Sequence, residues 1–92
     1  MSSNYNYPLD TEYWSTEEII DVVNFYHLVE QAYEKGVKQD DLMLAYKRFK
    51  QIVPSKSEEK KLGSQFEEES GYSIYRVMKE ARNASSGQKV KM

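Results

Sequence analysis

The sequence predicts an all-α protein, a single compact bundle of about four helices with an extended aromatic N-terminal arm. Three observations carry this. Apolar residues recur at spacings of three and four in successive stretches. Helix-start and helix-stop signals bracket those stretches. No segment alternates apolar and polar residues between turn signals, apart from a possible extended stretch at Tyr5 to Leu9.

The first helix has the strongest local support. In Trp14-Ser15-Thr16-Glu17-Glu18-Ile19, Ser15 can accept a bond from the Glu18 amide while the Glu18 carboxylate reaches back to Ser15. Trp14 and Ile19 stand at the two positions of a hydrophobic staple across that start. Ile19, Val22, Val23, Tyr26, Val29 and Tyr33 then form an apolar stripe, widened by Phe25 and Ala32, so this helix belongs at the centre of the bundle. Gly36, just past Lys35, can take the left-handed conformation that ends a helix.

After a short link, Asp40 and Asp41 open a second helix, antiparallel to the first, with Leu42, Ala45, Tyr46, Phe49, Ile52 and Val53 on one face. Pro54 forbids helical continuation from Val53, and Ser55-Lys56-Ser57-Glu58 at once offers another capping box, so the chain turns a sharp corner into a third helix. That helix is thin in apolar content, with Leu62 and Phe66 one turn apart among charges, and is expected at the periphery. Gly71 ends it. Ser73 then starts a short fourth helix with Ile74, Val77, Met78 and Ala81 on one face. The expected domain covers residues 1–82, and residues 83–92, without periodicity, read as a flexible C-terminal tail.

Composition narrows the chemistry. The 92 residues are 39% hydrophobic and 30% charged, too apolar for a disordered chain and too polar for a membrane protein. The absence of cysteine excludes a disulfide framework, a thiolate metal site and a cysteine nucleophile, and suits a reducing cytosol. No basic and apolar leader stands at the start, and no apolar run approaches the ~20 residues that span a bilayer, so a cytoplasmic location is expected.

No catalytic constellation emerges. His27 is the one histidine, expected on a solvated face with Glu30, Gln31 and Glu34, and a zinc site would need three carboxylate partners. The clusters Glu17-Glu18, Asp40-Asp41 and Glu67-Glu68-Glu69 lie at helix ends or on exposed faces. Ser15, Ser55 and Ser73 have helix-start roles and lack the glycine-flanked turn of a nucleophile. The expectation is no enzyme activity, no cofactor and no metal.

What stands out is the aromatic content: eight tyrosines, three phenylalanines and one tryptophan, with Tyr5, Tyr7, Tyr13 and Trp14 crowded near the start. Either this arm packs over the bundle or it offers a partner an aromatic surface, because Tyr and Trp commonly anchor interfaces. Met43 and Leu44 fall off the apolar face of the second helix beside Lys47, Arg48 and Lys50, a place for a protein contact or a homodimer. The candidate interaction residues are therefore Tyr7, Trp14, Met43, Leu44, Tyr72, and Pro54 and Lys56 at the exposed corner.

Several stretches together point to a family. Tyr7-Pro8-Leu9-Asp10, Trp14-Ser15-Thr16-Glu17-Glu18, Ala32-Tyr33-Glu34-Lys35-Gly36-Val37, Tyr46-Lys47-Arg48-Phe49-Lys50, Ile52-Val53-Pro54-Ser55-Lys56-Ser57-Glu58-Glu59-Lys60 and Ser70-Gly71-Tyr72-Ser73-Ile74-Tyr75 follow one another in the order of the uncharacterised protein family UPF0223. The chain resembles that family over nearly its whole length except the tail. The resemblance implies a small all-helical protein of low-GC Gram-positive bacteria, and brings no catalytic or binding residues with it.

The expected function is a non-enzymatic protein-interaction module with an unknown protein partner. The alternative is an RNA-associated factor binding phosphates through Lys47, Arg48, Lys50, Arg76, Lys79, Arg82, Lys89 and Lys91, which a pI of 5.4 argues against.

Overall fold

The computed structural model describes residues 7–92. Four helices form the body: α1 (Thr16–Glu34), α2 (Gln39–Ile52), α3 (Lys56–Ser70) and α4 (Ile74–Asn83). Two short strands, β1 (Val37–Lys38) and β2 (Lys89–Val90), pair antiparallel with Val37 opposite Val90 and Lys38 opposite Lys89.

The start of α1 forms as its residues dictate. The Glu18 amide donates to Ser15 Oγ at 3.1 Å and the Ser15 amide donates to Glu18 Oε1 at 2.8 Å, so two of the amides a helix start would leave unsatisfied are paired. The approach is set by Asp10, whose carboxylate accepts the amides of Glu12 and Tyr13 and whose carbonyl accepts that of Trp14. Trp14 is thereby turned inward and buried, with Ile19 packed against the same core.

The aromatic residues of α1 organise the interior. Phe25 stacks on Phe49 of α2 and Tyr26 on Phe66 of α3, each pair with ring centroids 4.8 Å apart. Phe66 and Leu62 are the only two residues by which α3 enters the core, in line with its thin apolar content. The Tyr26 hydroxyl escapes the cost of burial without a partner by donating to the Pro8 carbonyl at 2.9 Å. Burial raises the Tyr26 pKa well above the ordinary phenol range, so it stays a neutral donor.

Ser55 and Ser73 cap α3 and α4, accepting the amides of Glu58 and Arg76 at 3.3 and 3.1 Å. Gly71 ends α3 in the left-handed conformation, at φ 81°. Gly36, at φ 95°, has a second reason to be glycine: a Cβ there would lie 2.7 Å from the Lys89 side chain, where β2 crosses over it.

That crossing corrects the flexible tail expected from Asn83 onward. α4 runs through Asn83, a turn follows with Gly87 at positive φ, and β2 lays Val90 into the core beside Val37. The Gln39 amide donates to the Gln88 carbonyl and the Met92 amide to the Ala32 carbonyl, closing both ends of the ribbon. A strand of two residues is too short to show alternation, and Val90 stands between two lysines, so periodicity could not reveal it. The domain therefore reaches past residue 82 to take in β2. Of the extended stretch expected at Tyr5 to Leu9, Tyr5 lies outside the described residues; from Tyr7 onward the chain crosses α1 and α3 without pairing in a sheet.

Candidate functional site

The helices leave an open groove where α2, α3 and α4 meet. Its volume is about 580 Å³, and its floor is formed by Ile74, Met78 and the half-buried ring of Tyr46. The groove stays open because α3 turns small residues, Gly63 and Ser64, toward it; a Cβ on Gly63 would meet nothing within 4 Å. Tyr75, 71% exposed, stands at the edge.

The groove is positively charged within a chain of net charge -2: Lys50, Lys56, Lys60 and Arg82 line it against the two carboxylates of Glu59 and Glu67. One of those carboxylates is occupied. Lys50 Nζ donates to Glu59 Oε1 at 2.6 Å and the Tyr46 hydroxyl to Glu59 Oε2 at 2.8 Å, while the Arg82 guanidinium lies over the Tyr46 ring at 5.8 Å. Burial pushes the Glu59 carboxyl up, but the bonds from Lys50 and Tyr46 and the charges of Lys50 and Lys56 outweigh it and hold the group below its ordinary range. Burial, then the bond to Glu59, raises the Tyr46 phenol. Glu59 is thus a neutralised fixture of the wall, and the exposed Lys56 and Lys60 carry the charge an approaching group would meet.

The residues singled out from sequence divide sharply. Tyr7, Trp14 and Tyr72 hold the fold together. The Tyr7 ring lies 5.3 Å from Tyr26 and 6.1 Å from Phe66, and its hydroxyl donates to Glu30 Oε1 at 2.9 Å. Tyr72 stacks on Tyr33 with centroids 4.5 Å apart and donates to Glu34 Oε2 at 3.0 Å. Met43 is half-buried against the core. Leu44 (71% exposed), Pro54 and Lys56 face outward, and of these Lys56 joins the groove.

Glu30 departs from expectation. Its helical position predicts the solvated face with His27, yet it is buried because the N-terminal arm folds over that side of α1. Burial raises its pKa, against the Tyr7 bond and the nearby His27, which lower it. His27 itself is exposed, with the edge of its ring toward Tyr7 at 5.6 Å.

The sequence does not single out Tyr46, Lys60, Gly63 or Tyr75 as candidates, yet all four line the groove. A tyrosine at position 75, off the apolar stripe of the fourth helix and followed by a basic residue, was the available signal; Gly63 inside a helix was the other. Among the described residues, no group of three or more His, Cys, Asp or Glu stands together to hold a metal ion, and no helix is long and apolar enough to cross a membrane.

Residues 4–90 match the family described as an uncharacterised protein family, UPF0223. The chain belongs to this family. Similarity to other UPF0223 proteins is extensive: 63% identity over 82 residues with one from Oceanobacillus iheyensis, covering 89% of this chain and 92% of the relative. With the UPF0223 protein YktA of Bacillus subtilis the identity is 54% over 88 residues, covering 96% and 98%. These UPF0223 names carry no activity, so function rests on the geometry of the groove.

Proposed function

We propose that this UPF0223 protein is a non-enzymatic, cytoplasmic protein-interaction module whose contact surface is the groove between α2, α3 and α4. The observation that carries this reading is an open apolar floor ringed by excess cations on an otherwise acidic molecule. The partner that fits is an acidic polypeptide segment presenting one apolar side chain. The side chain would cover Ile74 and Met78 while its carboxylates meet Lys56, Lys60 and Arg82. Tyr75 and Tyr46 supply rigid aromatic edges of the kind that anchor such contacts.

The pairing of Lys50 with Glu59 at 2.6 Å favours this reading over RNA binding, because it neutralises one of the cations a phosphate backbone would need.

The test is a titration with a fluorescent Glu-rich peptide carrying a single leucine, followed by anisotropy. Wild-type protein should bind it better than a Lys-rich peptide of the same length. Gly63→Phe, which fills the groove where space is open, and Lys56→Glu with Lys60→Glu should each abolish that preference in folded protein. Equal binding by wild type and both variants would overturn the assignment.

A further inference from the structure

A second surface, on the outer side of α2 and independent of the groove, has a pattern that is complementary to itself. Leu44, 71% exposed, is the centre of an outward stripe in which Asp40 and Asp41 precede it by four and three residues and Lys47 and Arg48 follow it by three and four. With about 1.5 Å of rise per residue, the acidic pair lies about 5–6 Å to one side of Leu44 and the basic pair the same distance to the other.

A two-fold axis through Leu44, perpendicular to the helix, reverses both the direction along the helix and the side of the stripe. It therefore carries Arg48 of a second copy onto Asp40 of the first and Lys47 onto Asp41, and does so twice. Such an isologous arrangement is what closes a symmetric dimer.

We infer that α2 pairs antiparallel with α2 of a second copy of this chain, with the two Leu44 side chains at the centre. Beside each Leu44 is a shallow depression of about 410 Å³ between α1 and α2, floored by Leu28 and Ala45. Each Leu44 can enter the depression of the other copy. Arg48 already donates to Asp21 through Nε, and a guanidinium has further N–H groups with which to bridge to Asp40 of the second copy. Asp40 accepts the Ser86 hydroxyl at 2.9 Å and keeps acceptor capacity on its carboxylate.

One helix face buries less than the roughly 1,600 Å² of a standard interface, so the dimer forms in the micromolar range and dissociates on dilution. Complementary charges choose the antiparallel register and exclude the parallel one, which would set Asp40 and Asp41 against their own copies.

The test is sedimentation equilibrium on the full chain, with circular dichroism as the check on folding. Wild type should show a monomer–dimer equilibrium, and Leu44→Glu should be monomeric with an unchanged spectrum. Asp41→Lys leaves only cations across that contact and Lys47→Glu only carboxylates, so each variant alone should dimerise about tenfold more weakly or worse. Mixed one to one, the two variants should form a heterodimer. A wild type monomeric into the high micromolar range would overturn the inference. So would a dimer indifferent to Leu44→Glu, or one in which the mixture behaves as the separate variants do.

Discussion

The two sides of α3 invite comparison. On one, Phe66 stacks on Tyr26 under the arm residue Tyr7, and every ring has a neighbour at packing distance. On the other, Gly63 and Ser64 face the open groove, and Tyr75 stands in solvent opposite them. The aromatic side closes the fold, while the side that carries Gly63 and Ser64 leaves an open groove. The crowding of aromatic residues near the start of the sequence is therefore accounted for by packing, since Tyr7 and Trp14 lie against the core. A chain of this size buries only about 60–65% of the surface its unfolded form exposes, less than a larger domain does, and needs its large rings for its own core.

Changes on the two sides should separate stability from binding. The largest effect is expected from Phe66→Ala, which removes the main anchor of α3 and should cost about 3–5 kcal/mol in urea denaturation, enough to threaten folding. Trp14→Ala should follow at about 3 kcal/mol, since the indole closes the entrance to α1, and in the variant that still folds the peptide affinity of the groove should be unchanged.

Glu59→Gln probes the wall between the two sides. It should cost about 1 kcal/mol at neutral pH, because the Lys50 and Tyr46 bonds lose their charged acceptor in a partly solvated place. The folded pKa of Glu59 is held low, so its contribution is fully present above the ordinary carboxylate range and is lost as pH falls from that range through the lowered folded pKa. The gap between wild type and Glu59→Gln should accordingly close in acid. Smallest of all, Lys56→Glu with Lys60→Glu should change stability by less than about 0.5 kcal/mol, both residues being exposed, while removing affinity for the acidic peptide.

The helices were legible because each carries its own start and stop. The box at Ser15, the proline at position 54 and the left-handed Gly71 act within a few residues, and the stripes between them have helical period. The corner at Lys56 was legible for the same reason. The groove was not, since it is made by the absence of side chains at Gly63 and Ser64 and by residues from three helices whose relative placement no local pattern records. Burial of Glu30 was hidden likewise: only the arm folding back across twenty-three positions turns that carboxylate from a surface charge into the acceptor of Tyr7. The short strand at Lys89–Val90 depends on its partner at Val37–Lys38, more than fifty residues earlier.

The most direct measurement is a ¹⁵N–¹H correlation spectrum of the labelled protein, titrated with the Glu-rich, leucine-bearing peptide. The expected result is a set of shifts confined to the amides of Lys56, Lys60, Gly63, Tyr75 and Arg82, with those of Tyr7, Trp14 and Tyr72 unmoved. Shifts centred on the aromatic arm, or none anywhere, would contradict the proposal that the protein binds at its open groove and not at its closed aromatic side.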